Sequence, residues 1–333
     1  MTNRELLLAA FNNKEVPRLP VGFWFHFVSE AEKPQGLERP ELAEQSVKGH
    51  KRYIEEFRPD FVKVMSDGFF GYPQKGETVK LNLGAEKIGD LAKFQPVGED
   101  HPWIQAQIAQ VKKIVSLQRD IMYFYNIFSP STTLKRIIGL ETLITWFREN
   151  PSLLAGTLLR MAEGIAVQAR SVIVHGGADG IYLSAQNNDS SRISDDEYRR
   201  YFKPADKIVL DAANEASENN ILHICGNRGF RNHLETWTGY KAKAYNWASN
   251  VEGVSLSEGK KIFGGAAVIG GFANTADDLI YRGSREEIEA CTAKIIAEAG
   301  RTGVILGADC TVPDDTPFEH FEWVREKARA LSR

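Results

Sequence analysis

The fold class is decided by ADGIYLSA at 178–185 and NILHICG at 220–226, two short apolar runs separated by a helical pattern. Both runs are continuous rather than alternating in hydrophobicity, which is typical of strands buried on both faces of a parallel sheet. The sequence between them, SDDEYRRYFKPADKIVLDAANEAS (194–217), opens with a serine and acidic residues, which are start signals of a helix. A strand–helix–strand unit of this kind predicts an α/β protein.

The same alternation extends along the chain. The other apolar runs are PVGFWFHF (20–27), DFVKVMS (60–66), IMYFYNIFS (121–129), AKAYNWAS (242–249), KIFGGAAV (261–268) and GVILGAD (303–309). Helical patterns lie between them, among them 129–177 and EEIEACTAKIIAEAG (286–300). Eight strands separated by helices predict a (β/α)8 TIM barrel, with an N-terminal helical extension and with residues 1–333 in a single domain. The alternative, an open doubly wound sheet, lacks a glycine-rich nucleotide-binding motif to support it.

The composition bounds the function. With 43% hydrophobic and 26% charged residues, the 333-residue chain is typical of a globular protein, and its formal charge of −3 does not predict a nucleic-acid partner. No apolar run approaches the roughly 20 residues that span a membrane, and the N-terminus lacks a signal-peptide pattern. Three cysteines are too few for a disulfide framework. We therefore expect a cytoplasmic protein without membrane contact.

A barrel places its site at the carboxyl ends of the strands, and polar residues gather there in this sequence. In strand order they are His26, Asp67, Ser184, His223, Cys225, Asn227, Asn246, Trp247, Asp309 and Cys310. Several of these residue types bind metals, so the ends of the predicted strands are the candidate functional site.

His223 and Cys225 are two residues apart, so in a strand both side chains leave on the same side. A catalytic zinc ion usually has three protein ligands and one open position, and Cys310 would supply the third ligand. The alternative is that Cys225 packs as a small hydrophobic residue in a buried strand. Cys291 falls inside a helical pattern with apolar partners, and we interpret it as a packed thiol.

The motifs HICGN (223–227) and LGADCTVPDDTP (306–317) resemble the uroporphyrinogen decarboxylase superfamily. Within it they are most similar to the methylcobalamin:coenzyme M methyltransferases. The segments at 4–24, 57–73 and 177–209 also resemble this family, so the similarity runs nearly end to end. The resemblance implies a (β/α)8 barrel with zinc bound by His223, Cys225 and Cys310.

The resemblance also implies a reaction, in which zinc activates a small thiol that takes the methyl group of methylcobalamin or another methyl-corrinoid. A separate corrinoid protein would present that methyl group. Asp67 and His26 are then the candidate catalytic residues. The candidates for contact with the substrate or corrinoid are Ser184, Asn227, Asn246 and Trp247.

Two alternatives remain open at this point: decarboxylation of a tetrapyrrole, and corrinoid or tetrapyrrole binding without catalysis. The decarboxylases resemble one another in an arginine-bearing loop after the first strand, but FWFHFVSEAEK (23–33) contains no arginine. Their tyrosine after the third strand is also missing from SPSTTLKRIIG (129–139). Asp309 departs from the methyltransferase pattern too, and could bind the metal, hydrogen-bond a ligand or cap the turn. The oligomeric state is open, a homodimer included.

Overall fold

The computed structural model describes residues 1–74, 81–82, 85–187, 189–226 and 229–332, and its centre is a sheet of seven parallel strands. The strands are β1 (Phe61–Val64), β2 (Met122–Phe128), β3 (Gly180–Ala185), β4 (Ile221–Ile224), β5 (Ala244–Trp247), β6 (Ala267–Phe272) and β7 (Val304–Ala308). Each strand pairs with its neighbour in the chain, so the sheet order is the chain order. This architecture confirms the predicted α/β barrel class.

The gap between β7 and β1 is filled by residues 20–22, where a full strand was predicted over 20–27. Val21 makes one parallel bridge to Leu306, and its carbonyl accepts a 3.1 Å hydrogen bond from the Asp60 amide. A regular strand does not form because side chains make hydrogen bonds to the backbone groups that would otherwise pair with a neighbouring strand. The Asp60 carboxylate accepts the Val21 amide at 2.7 Å, and the Tyr53 hydroxyl donates to the Phe23 carbonyl at 2.7 Å. The prediction of a strand was wrong, but the segment does complete the barrel.

The sixth strand of the sheet lies six residues later than expected. The segment 261–268 was predicted as a strand, yet a helix continues to Ile262 and β6 begins at Ala267. Gly264 and Gly265 have φ angles of 65° and 84°, a left-handed region that stops the helix and turns the chain into the sheet.

Helices connect the strands and pack around them. They are α1 (Asn3–Phe11), α2 (Glu41–Phe57), α3 (Pro102–Val115), α4 (Pro130–Ile138), α5 (Leu140–Glu149), α6 (Pro151–Val174), α7 (Asp195–Glu197), α8 (Lys203–Ala216), α9 (Ser249–Glu252), α10 (Leu256–Ile262), α11 (Leu279–Arg282), α12 (Arg285–Ala299) and α13 (Phe318–Ala330). A π-helical turn at Tyr198–Phe202 joins α7 to α8, and 3₁₀ turns occupy Glu30–Glu32, Ile88–Lys93 and Leu234–Trp237. None of the helices in these ranges is both long and apolar enough to cross a membrane.

Helix α1 covers the amino-terminal ends of the strands, as the predicted N-terminal extension should. The Arg4 amide donates to the Asp120 carbonyl just before β2, and the Arg4 side chain pairs with Asp179 just before β3. Phe11 packs edge-on against Phe124 of β2 at 5.8 Å between ring centroids. The bottom of the barrel is therefore closed by an apolar plug.

The barrel interior changes from apolar to polar toward the carboxyl ends of the strands. Alternate strand residues point inward, and the lower inner layers are apolar, with Phe61, Phe124 and Ile221 among their members. The next inward positions carry Lys63, Asn126, Ser184, His223 and Asn246, all of them buried. A polar layer in a closed barrel costs free energy unless its groups are paired, so this layer marks the functional end.

A buried acid outside the barrel joins α8 to the loop before β5. The hydroxyls of Tyr198 and Tyr240 donate to Asp206 Oδ2 at 2.6 and 2.9 Å, while Oδ1 has no partner among the described residues. Burial raises the pKa of the Asp206 carboxyl to about 7, against the two tyrosine hydrogen bonds, which lower it. The folded protein therefore holds a proton here that the unfolded chain releases near pH 4.

We expect Asp206→Asn to flatten the pH dependence of stability. Stability from the protonated carboxyl is fully present below about pH 4 and is lost as pH rises through about 7, a change on the order of 4 kcal/mol. The amide cannot ionise, so the variant should lose less unfolding free energy than wild type between pH 5 and pH 8 in urea titrations. Asp211→Asn, at an exposed position of α8, is the control. Equal pH slopes for all three proteins would show that Asp206 does not carry the effect.

Candidate metal centre at the barrel mouth

Three side chains that can bind a metal converge at the carboxyl ends of β4 and β7. His223 lies in β4, Cys225 directly follows it, and Cys310 follows β7. Their ligand atoms all lie within 4.8 Å of one another, and no other such group of three occurs in the described part of the chain. The predicted ligand set is thus brought together, with His223 and Cys225 on the same side of the strand.

Two of the three distances between these atoms match those of a tetrahedral zinc ion. Zn–S bonds of about 2.3 Å and Zn–N bonds of about 2.05 Å at tetrahedral angles separate two sulfurs by about 3.8 Å, and a sulfur from a nitrogen by about 3.6 Å. The structure has 3.8 Å between Cys225 Sγ and Cys310 Sγ, and 3.5 Å between Cys310 Sγ and His223 Nε2. Two thiols and an imidazole are also ligands that zinc prefers.

The thiol of Cys310 is electrostatically prepared for the ligating state. A hydrogen bond from Cys225 holds the pKa of the Cys310 thiol well below its ordinary value, although burial opposes the shift. The charge of Lys63 lowers the same pKa further. Because the thiolate is the form that binds a metal, Cys310 ionises readily in the position where a ligand is needed.

Asn246 of β5 orients the histidine. Its Oδ1 accepts from His223 Nδ1 at 2.5 Å, and its Nδ2 donates to the carbonyls of Ile269 and Ala308 at 2.9 and 3.1 Å. Since the amide nitrogen has two carbonyl partners, its oxygen must face the imidazole, and Nδ1 carries the proton. His223 Nε2 is then left with its lone pair toward the thiols, which is the arrangement of an oriented metal ligand.

Cys225 is held through its backbone. Its amide donates to the Ala185 carbonyl at 2.8 Å, and its carbonyl accepts from Asn232 Nδ2 at 3.0 Å. Asn232 is fixed in turn by the buried carboxylate of Glu252, which accepts its backbone amide at 2.6 Å. The loop after β4 is therefore anchored to β3 on one side and to α9 on the other.

Asp309 fixes the loop that carries Cys310. Its amide donates to the Phe272 carbonyl at 2.7 Å, and its carboxylate accepts from Ser249 Oγ at 2.7 Å and from the Asn250 amide at 3.0 Å. Of the three roles left open for Asp309, the geometry shows the cap, because the carboxylate is turned toward the start of α9.

His26 and Asp67 form a hydrogen-bonded pair at the same end of the barrel. His26 Nδ1 lies 2.8 Å from Asp67 Oδ1, and the Phe27 amide donates to Asp67 Oδ2 at 2.7 Å. Asp67 is fully buried, whereas His26 is 23% exposed and lines the cavity described next. The carboxylate thus orients the ring and makes Nε2 the nitrogen available for a substrate.

A cavity of about 950 Å³ opens over the three candidate ligands. The predicted catalytic residue His26 and the predicted substrate contact Ser184 both line it, and Ser184 Oγ donates to Asn126 Oδ1 at 3.0 Å. Trp247 lies on the outer face of β5, where Nε1 donates to the Val254 carbonyl at 3.0 Å. Asn246 is buried below His223. Asn227 lies outside the described residues, so its predicted contact stays a prediction.

Comparison with known proteins agrees with this architecture. The sequence model of the family described as Uroporphyrinogen decarboxylase (URO-D) matches residues 2–331. The chain belongs to the URO-D family.

The relatives of this URO-D protein are named for different activities. The chain is 24% identical over 325 residues to a uroporphyrinogen decarboxylase of Trichodesmium erythraeum, covering 90% of this chain and 86% of that protein. It is 25% identical over 172 residues to the methylcobamide:CoM methyltransferase MtbA of Methanosarcina mazei, covering 52% of this chain and 48% of that protein. A solved methyltransferase structure from Methanosarcina mazei superposes over 100% of both chains with a TM-score of 0.74 at 19% identity, which shows the shared fold.

Sequence reasoning missed the basic residues of this URO-D barrel's cavity. Lys33, Lys63, Lys135 and Arg136 all line it, and Lys63 is 5% exposed inside the barrel. The signal was present in DFVKVMS (60–66), where one lysine interrupts the apolar residues of 61–65. Inward alternation from Phe61 would have placed that lysine in the lumen.

Metal analysis tests the cluster directly. After expression with added zinc, we expect about one equivalent of zinc in wild type and in Cys291→Ser, because Cys291 lies in α12 away from the site. His223→Ala, Cys225→Ser and Cys310→Ser should each retain less than about a tenth of an equivalent, since two remaining ligands bind weakly. Zinc content that is the same in all five proteins would refute the site.

Asn246→Leu should weaken zinc binding by about 10- to 100-fold, because His223 loses the partner that fixes its orientation. Competition with a chromophoric zinc chelator measures this affinity. Asn126→Leu is the matched control: Asn126 is also a buried barrel asparagine, but it bonds to Ser66 and Ser184 rather than to a ligand. An equal loss of affinity in both variants would mean that general disturbance of the polar layer, and not the contact to His223, is responsible.

Proposed function

We propose that this protein is a zinc-dependent methyltransferase that moves a methyl group from a methyl-corrinoid to a thiol. The observation that carries the proposal is the His223, Cys225 and Cys310 cluster, whose ligand atoms lie within 4.8 Å of one another and which lines a large cavity. Bound there, zinc would supply an open position at which a thiol is held as its thiolate, the nucleophile that methyl transfer needs.

The cavity suits two reactants. Its volume of about 950 Å³ lies at the upper end of the range for ligand sites, which is more room than a small thiol requires. Phe70 and Phe128, whose rings meet edge to face at 4.6 Å, line part of the cavity with apolar surface. We propose that the methyl-corrinoid, free or carried by a separate corrinoid protein, enters from the barrel mouth and brings its methyl group toward the thiol.

His26 is the candidate proton acceptor. Transfer of a methyl group from cobalt to a thiol forms a C–S bond, breaks the Co–C bond and leaves the electron pair on cobalt, so the thiol proton must be removed. Asp67 holds His26 Nδ1 at 2.8 Å, which leaves Nε2 as the atom that can take a proton. Asp67 thus acts through His26.

Tetrapyrrole decarboxylation is the second candidate. It is favoured by the four cationic side chains that line the cavity, since ammonium and guanidinium groups bind carboxylates. Against it, Arg136 and Lys33 both pair with the carboxylate of Glu30, so part of this charge is already balanced. The cysteine cluster also has no part in such a reaction.

Anaerobic assays separate these functions. With methylcobalamin and 2-mercaptoethanol, we expect wild type and Cys291→Ser to convert the cobalamin spectrum to that of cob(I)alamin, and Cys310→Ser to be slower by about 100-fold or more, since the thiol is no longer activated. Release of carbon dioxide from uroporphyrinogen would instead support the decarboxylase. Saturable spectral shifts without turnover of either substrate would indicate a binding protein.

A further inference from the structure

Lys63 is a buried cation on the inner face of β1. Its inward direction follows from its neighbours, since Phe61 and Met65, two residues away on either side, both belong to the inner apolar layer. Lys63 is 5% exposed, and the described residues place no carboxylate within ion-pair distance of its ammonium. Lysine is almost never fully buried without a partner, so the role of this buried ammonium needs an explanation.

The ammonium lies beside the candidate metal centre. Lys63 Nζ is 4.2 Å from the centroid of the Tyr182 ring, and the His223 ring lies 5.9 Å from the same ring, between centroids. Lys63 also lines the cavity together with Cys225 and Cys310. The thiolates of Cys225 and Cys310, the forms that bind a metal, would therefore share this cavity with the ammonium.

The other cations of the cavity are already engaged. Arg136 reaches Glu30 at 2.6 Å, Lys33 pairs with the same carboxylate, and Lys135 contacts the Gln186 side-chain oxygen. Lys63 differs because its contacts are the aromatic rings of Tyr182 and Trp24. Such rings hold a cation in place without neutralising it.

The net charge of the metal centre depends on its fourth ligand, and the ammonium would balance that charge. A divalent ion with two thiolates and a neutral imidazole has no net charge, and a neutral fourth ligand leaves it so. A fourth ligand that binds as an anion gives a net charge of −1, and an uncompensated charge inside a protein is costly. We propose that Lys63 is the counter-charge for an anionic fourth ligand, so that the centre selects ligands that bind as anions over neutral ones.

This inference rests on the proposed metal centre and adds a selection rule to it. Lys63 acts through its charge. It does not bind the metal, and it stabilises the thiolate form of the acceptor in the cavity. A thiol would lose its proton on binding and become the favoured fourth ligand. A neutral nitrogen ligand would gain nothing from Lys63.

The test uses Co²⁺-loaded protein, whose visible spectrum changes when the fourth ligand binds. 2-Mercaptoethanol is the probe that binds as an anion, and imidazole is the neutral probe. In Lys63→Met we expect the affinity for 2-mercaptoethanol to fall about tenfold or more, and that for imidazole to stay within about twofold. Lys63→Arg should restore the affinity for 2-mercaptoethanol, because it retains the charge.

Two controls make the result specific. Lys33→Met removes a cavity cation that already has a carboxylate partner, and it should bind both probes as wild type does. Lys63→Gln provides a second neutral side chain, in case methionine alters the packing on Tyr182. Equal affinities for 2-mercaptoethanol in wild type and both neutral variants would overturn the inference, as would an equal loss for both probes. Failure of wild type to bind Co²⁺ would overturn the metal centre itself.

Discussion

The buried amide of Asn246 connects the parts of the candidate site. It accepts from His223 on β4 and donates to Ile269 on β6 and to Ala308 at the end of β7. One side chain on β5 therefore fixes both the orientation of the histidine and the strand end from which Cys310 extends. Because all of these contacts are buried, where hydrogen bonds are strong and unpaired groups are costly, small displacements of either ligand are opposed.

Closure of the barrel depends on a comparable use of side chains. The Asp60 carboxylate accepts the Val21 amide at 2.7 Å and two hydrogen bonds from the Arg18 guanidinium at 2.6 and 2.7 Å. These contacts replace the ladder that an eighth strand would make. The segment after Val21 therefore does not continue as a strand. It places His26 at the barrel mouth, where the His26 ring is hydrogen-bonded to Asp67.

The local patterns were sufficient to predict most strands and the common side of His223 and Cys225, because both depend on near-neighbour periodicity. They predicted which strand ends carry polar residues but not which of these touch. Asn246 was expected at the substrate and Asp67 as a catalytic residue. The observed partner of Asn246 is His223, its register partner on the neighbouring strand, and that of Asp67 is His26, which lies outside the strands; both partners are distant in sequence. The absent first strand has the same origin, since the competing groups, Asp60 and Tyr53, are distant in sequence.

Membership of the URO-D family fixes the scaffold, and the charges inside the barrel decide what chemistry the scaffold favours. A substrate with several carboxylates is bound by cationic side chains in the cavity, but Arg136 and Lys33 form ion pairs with Glu30. Two ammonium groups remain, and of these Lys135 contacts the side chain of Gln186, whereas Lys63 is buried and lines the cavity together with the two cysteines. A cation at that depth acts on charge developed at the cysteine cluster more than on a substrate's peripheral carboxylates, because electrostatic interactions weaken with distance and solvent exposure. The interior of this barrel is therefore suited to stabilising sulfur anions.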